Sequence, residues 1–290
     1  MEYLINELSL IGQCEDECEF IETILPDFMA VMQDIRNLDS TLHIFKKTNL
    51  YNSYVTSDLT LYNLIFSPNY RIYDKLTKFK SQLAGLVNNG PYWDENPRQD
   101  FNIVYERTDT HQRIKVSGSS VAEAYARCAS LVSFKNSNYD VNIVSVTDGE
   151  TNKEVINFHE EGEIIRHLHN TGQLCHDTYI RNAFQNKLNF DEISCRDGLN
   201  LITDDNLNLF EDAFKKFETL TWNQIMVDDA LDYKEFHKNR NTRVFFTKEQ
   251  WKKTIRKFRV NDKIRCFGYQ LNNKFYVLRL DLEHRLSDLG

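Results

Sequence analysis

The chain has 290 residues, 41% of them hydrophobic and 12% aromatic, and its 35 Lys and Arg against 43 Asp and Glu leave a net charge of −8. That length suits one large domain or two ordinary ones, and the apolar share is enough for a core. Ten Gly and four Pro argue against long low-complexity stretches, and no apolar run reaches the roughly 18 residues that a membrane-spanning helix needs.

The first predicted element is a strand over Tyr3–Ile11, where apolar residues alternate. Its MEYLINELSL start lacks the basic and apolar regions of a signal peptide. Glu15, Asp16, Glu17 and Glu19 then lead a helical pattern to about Arg36, with negative charge at the favourable end and Pro26 expected to break or restart it. A strand over Leu42–Asn49 and helices over Leu59–Phe66 and Tyr73–Val87 follow, the last stopped by Asn88-Asn89-Gly90-Pro91. Phe101–Glu106 and Ile114–Val116 read as strands. Ser120-Val-Ala-Glu123 has capping-box spacing and predicts a helix to about Ser130. Leu131–Ser133, Val141–Val146 and Val155–Phe158 are strand-like, with a turn at Asp148-Gly149.

Further on, Leu188–Ser194 reads as a strand. Asp204 or Asp205 should cap a helix whose apolar positions Leu207, Phe210, Phe214 and Phe217 recur every three or four residues. Thr221–Gln224 and Thr247–Gln250 repeat the capping box, the second predicting a helix to about Lys257. Strands over Lys263–Tyr269 and Lys274–Leu280 close the chain. The pattern is α+β throughout. Six Cys at 14, 18, 128, 175, 195 and 266 form no C-x-x-C pair, which suits reduced thiols in a cytoplasmic protein.

Charge divides the chain. Residues 187–290 carry 19 basic and 17 acidic side chains, whereas 1–186 carry 16 and 26. Within 234–279 there are fourteen Lys and Arg against three Asp and Glu. The expectation is an acidic α+β module over 1–186 and a basic domain over 187–290. The acidic module would regulate its basic neighbour as a nucleic-acid mimic, or bind a partner.

The string Leu220-Thr221-Trp222-Asn223-Gln224-Ile225 and the ending Arg265-Cys266-Phe267-Gly268-Tyr269, Phe275-Tyr276-Val277-Leu278, Asp281 and His284 resemble RelE-like toxin domains. The resemblance covers about 187–290 and implies helices packed on a small antiparallel sheet. Residues 1–186, through Gly90-Pro91-Tyr92-Trp93-Asp94, resemble uncharacterised bacterial proteins, some of phage-defence type. The RelE-like resemblance implies a toxin-like, metal-independent endoribonuclease or RNA-binding effector of a toxin–antitoxin or phage-defence system. In that chemistry the RNA 2′-OH attacks phosphorus, so it needs cations for the phosphorane and a proton-transfer group. The candidates are His284, Arg265, Lys263 and Tyr269 for catalysis, and Arg256, Arg259, Arg279 and Arg285 for RNA binding.

Strict alternation divides the last two strands into a phosphate-facing set of Lys263, Arg265, Tyr269 and Arg279 and a core set of Ile264, Cys266, Tyr276, Leu278 and Leu280. RNA, the ribosome, an antitoxin or another defence subunit are the expected partners, with no membrane. The alternative is a non-enzymatic adaptor that docks through the cationic sheet or through Tyr92 and Trp93. His167, His169, Cys175 and His176 hold metal-ligand types without a standard zinc spacing, so no metal is assigned. No P-loop, dinucleotide, nucleophile-elbow or H-E-x-x-H pattern occurs, and no cofactor is expected.

Overall fold

A computed structural model describes residues 1–12, 14–38, 43–67 and 74–286, apart from the side chains at 74–76, 78 and 87. Leu42 and Tyr73, where a strand and a helix were expected to begin, lie outside the described residues, as do residues 287–290. The fold is α+β with two mixed sheets. It divides into two compact units, Met1–Ile164 and Ile165–Gly290, a division that falls before the boundary expected after residue 186.

In the first unit, β1 (Tyr3–Asn6), β2 (Ile44–Phe45), β3 (Glu106–Arg107), β4 (Ile114–Lys115), β5 (Ser130–Ser133), β6 (Ile143–Thr147) and β7 (Asn152–Phe158) form one sheet in the order β2-β1-β5-β7-β6-β3-β4. The first four in that order run parallel and the rest pair antiparallel. β1 and β5 are buried at every position, so they carry near-continuous apolar runs. A polar relay joins neighbouring strands at their carboxyl ends. Asn6 donates to Ser133 Oγ (2.9 Å), which donates to Asn157 Oδ1 (2.6 Å), and all three residues are fully buried. Each buried polar group therefore has its partner, the condition under which burial is tolerated.

Among the described residues, the strands of this unit are flanked by α1 (Glu17–Glu19), α2 (Leu25–Leu38), α3 (Leu61–Phe66), α4 (Asp74–Asn88) and α5 (Ser120–Arg127). Pro26 is the second residue of α2, so the α-helix restarts there, as expected, rather than ending. A π-turn over Phe20–Ile24 widens the chain just before it, with Leu25 N bonded to Phe20 O. The cap of α5 is Ser119 rather than Ser120, and the helix ends at Arg127 with Cys128 in the left-handed region at φ 53°. This releases the Ser120 hydroxyl to accept from Trp93 Nε1 (2.8 Å).

The second unit contains α6 (Glu163–Asn170, which crosses the division), α7 (His176–Ala183), α8 (Leu207–Thr219) and α9 (Trp222–Val227). Its sheet, in the order β8-β12-β11-β10-β9, consists of β8 (Leu188–Asn189), β9 (Lys234–Glu235), β10 (Ile255–Arg259), β11 (Arg265–Leu271) and β12 (Lys274–Asp281). The Thr221–Gln224 capping box forms as the spacing requires. Thr247 and Gln250 also exchange their bonds, yet only a short 3-10 turn follows, over Gln250–Lys252. The helix expected to Lys257 is replaced by β10, which opens on the β-branched Ile255 just after Thr254 and pairs with β11. The β11–β12 hairpin turns on Asn272 and Asn273, at φ 48° and 64°, a two-residue turn whose twist matches its strands.

Candidate functional site

Residues paired across an antiparallel ladder project to the same side of the sheet. Arg259, Arg265 and Asp281 therefore share one face with Lys257, Phe267 and Arg279, and with Ile255, Tyr269 and Tyr276. The opposite face carries Phe258, Cys266 and Leu280, and then Gly268, Val277 and Phe275. Between Phe267 and Gly268 the register slips by one residue, so Leu278 is extra on β12. The bulge corrects the strict alternation expected from the sequence. Tyr276 and Leu278 join the arginine-bearing face instead of the opposite core, while Phe275 and Val277 move to the other side. There Phe275 packs on Phe217 (5.4 Å between centroids) and Phe258 (5.5 Å).

The arginine-bearing face is itself largely covered, a second correction to the expected open phosphate surface. Phe236, Phe246, Ile255, Phe267, Tyr269, Leu278 and Leu286 form a buried cluster over it. Tyr269 is 2% exposed and donates its hydroxyl to Glu192 Oε1 (2.7 Å). Its ring stacks on Tyr276, and Lys253 Nζ lies 3.6 Å from the ring centroid. Burial pushes the Tyr269 phenol up, Glu192 adds to the rise and Lys253 opposes it. Tyr269 thus holds a proton engaged by a protein carboxylate.

Arg265, 6% exposed, donates to the carbonyls of Asn261 and Ile264 and so staples the turn before its own strand. Burial and the charge of Arg259 hold its guanidinium below the usual range. Arg259 pairs with Asp232 (3.3 Å), and Arg279 with Asp197 and the Phe245 carbonyl. The Arg256 guanidinium lies 5.4 Å over the Tyr233 ring. Lys263 is exposed in the β10–β11 turn. His284 lies beyond the end of β12 at φ 62°, in a turn held by the Asp281 carboxylate, which accepts from the amides of Arg285 and Leu286. Arg285 is exposed and pairs with Glu283. The expected set is divided: Arg265 and Tyr269 serve internal contacts, whereas Lys263 and Arg285 reach solvent.

A cluster of accessible positive charge lies on the segment that covers this face. Lys238, Arg240, Arg243, Lys248 and Lys252 are exposed, and among the described residues only Lys252 of these has an ion pair, with Glu249. The segment is braced from within. Thr242, fully buried, donates to the His237 carbonyl and accepts from Asn239 N, and Trp251 Nε1 donates to the Arg243 carbonyl. Lys238 Nζ lies 5.7 Å from the Trp251 ring. Two clefts, of about 630 and 360 Å³, share Val244, Phe245 and Arg279 in their walls. Val244 is 73% exposed between them. Glu192 and Lys253 were not read as site residues. Glu192 stands 77 residues from Tyr269, and no local pattern signals such a pairing.

Trp93, expected at a partner-binding surface, is 1% exposed and belongs to the core of the first unit. Tyr92 is half-buried beneath Lys46 Nζ, 4.8 Å from its ring. The Gly90–Asp94 element is a bracket. Lys46 N bonds Pro91 O, Trp93 N bonds Lys46 O, and the Asp94 carboxylate accepts from Thr48.

His167 and His169 sit on helix α6. His169 Nε2 meets His176 Nδ1 at 2.9 Å, and His176 Nε2 faces Asp204 (3.2 Å). The Cys175 thiol is drawn down by its bond to Thr178. Among the described residues, His167, His169, Cys175 and His176 do not converge as three ligands on one point. Comparisons of the chain with protein-family models, with curated proteins and with solved structures find no match.

Proposed function

We propose that the second unit is a nucleic-acid-binding module whose ligand is single-stranded RNA. The observation that carries this reading is the braced 236–253 segment, with Lys238, Arg240, Arg243 and Lys248 exposed beside Trp251 and the Phe245 cleft. Lys and Arg neutralise phosphates, and aromatic rings offer stacking platforms that tolerate any base. RNA is the class implied by the resemblance to RelE-like toxin domains.

The same resemblance implies cleavage by 2′-OH attack. Geometry favours binding over cleavage, because Tyr269 and Arg265 already satisfy protein acceptors. Titrating a fluorescent single-stranded RNA with the full chain at several salt concentrations tests the reading. Affinity should fall steeply with salt, and replacing Lys238, Arg240 and Arg243 by Ala should flatten that dependence. Undiminished binding by the triple variant, or none at low salt, would falsify it. Gel analysis of the same RNA, with its new ends identified, separates binding from cleavage.

A further inference from the structure

Asp140, His159 and Glu160 bring three ligand atoms within 4.8 Å of one another in the first unit. His159 directly follows β7, and Lys135 follows β5 closely, so the group lies at the carboxyl ends of parallel strands, where α/β sheets place ligands. His159 is 4% exposed, yet no hydrogen bond satisfies its Nδ1. That nitrogen stands 3.5 Å from Glu163 Oε2, and Nε2 stands 3.1 Å from Asp140 Oδ1. A neutral imidazole has a single N–H, and here both nitrogens face carboxylates.

The Glu163 carboxylate is fixed. It accepts from the amides of His159 (2.7 Å) and Glu160 (3.0 Å) and from the Asn142 side chain. Lys135 pairs with Glu160, and Asp27 on α2 interacts with Lys135, Glu160 and His159. A cleft of about 440 Å³, walled in part by Asp27 and Lys135, opens beside the group.

We propose that Asp140, His159 and Glu160 form a site for a divalent transition-metal ion of the manganese or zinc class. Two ligands about 2.1 Å from one ion at right angles stand about 3 Å apart, which the His159–Asp140 spacing already matches. Glu163 stands behind Nδ1, where an outer carboxylate would orient the imidazole once Nε2 holds the ion. A nitrogen with two carboxylates favours these ions over magnesium or calcium, which take oxygen alone. Lys135 supplies the positive charge that the ion replaces.

The test is titration of the full chain, first stripped with a chelator, using Mn²⁺ alone and following the free ion by electron paramagnetic resonance. One ion should bind per chain, about tenfold or more weakly in Asp140→Asn. The Asp140 side chain is 53% exposed, so this variant should keep the fold even if His159→Gln does not. Lys135→Met should bind several-fold more tightly, since it removes a competing cation. A parallel Zn²⁺ titration should respond to the same variants and ignore His176→Ala. No binding of either ion up to about 1 mM, unchanged affinity in Asp140→Asn, unchanged or weaker binding by Lys135→Met, or zinc binding lost with His176→Ala would each overturn the proposal.

Discussion

The ring of Phe275 lies over Gly268, close enough that a Cβ on the glycine would stand 2.7 Å from Phe275 Cε1 and 2.1 Å from the Tyr276 carbonyl oxygen. The second obstacle is backbone and cannot rotate away. Gly268→Ala should therefore cost about 2–4 kcal/mol, as overpacking at a rigid site does. Urea unfolding of the variant checks this, and a loss below about 0.5 kcal/mol would mean that the bulge relaxes.

Trp93 offers a second measurement. Its buried Nε1 donates to Ser120 Oγ, so Ser120→Ala leaves that donor unsatisfied and should cost about 1–3 kcal/mol. Trp93→Ala should cost about 3–5 kcal/mol through the cavity alone. If thermal unfolding instead finds Trp93→Ala neutral, the bracket around Gly90–Asp94 is not structural.

Asp34 on α2 is 6% exposed, and burial pushes its carboxyl from 3.8 up to about 6, against the Gly162 amide that donates to it. Between these values the folded chain holds a proton that the unfolded chain has released. Stability from this group therefore falls as pH rises from about 4 to about 6, by about 2–3 kcal/mol. Asp34→Asn can still accept from Gly162 and should flatten that part of the pH profile. Denaturant midpoints at pH 4.5 and 7 compare the two directly, and parallel profiles would reject the assignment.

For RNA binding, each phosphate-contacting cation removed should lower the salt slope by roughly 0.7 for a single strand. Lys238→Ala with Arg240→Ala should thus lower it by roughly 1.4, with similar losses across RNA sequences. Tyr269→Phe should leave the slope unchanged, because the phenol is engaged by Glu192. A fall in slope for Tyr269→Phe would place the interface on the sheet instead.

Period and spacing made much of the fold legible. The three Phe of α8 at 210, 214 and 217 are all fully buried, as their helical spacing requires. The Thr221–Gln224 cap and the β11–β12 hairpin follow from local chemistry that the sequence displays. The arginine-bearing face was harder to read, for two physical reasons. A bulge at Leu278 shifts the alternation by one, and only the partner strand reveals it. The 236–253 segment also folds over that face, a tertiary event with no local period. The grouping of Asp140, His159 and Glu160 was not legible for a similar cause, because these residues come together only when β6 and β7 pair.

Both sheets end on very short strands. Each outer strand, β2 and β4 in one sheet and β8 and β9 in the other, is two residues long. An outer strand leaves a row of amides and carbonyls unpaired, and a long row templates addition of a foreign strand. Two residues leave almost nothing to copy, and β9 adds Lys234 and Glu235 to that rim. These edges should therefore resist strand-by-strand addition when the protein is concentrated, and lengthening β9 with Val or Thr should weaken that resistance.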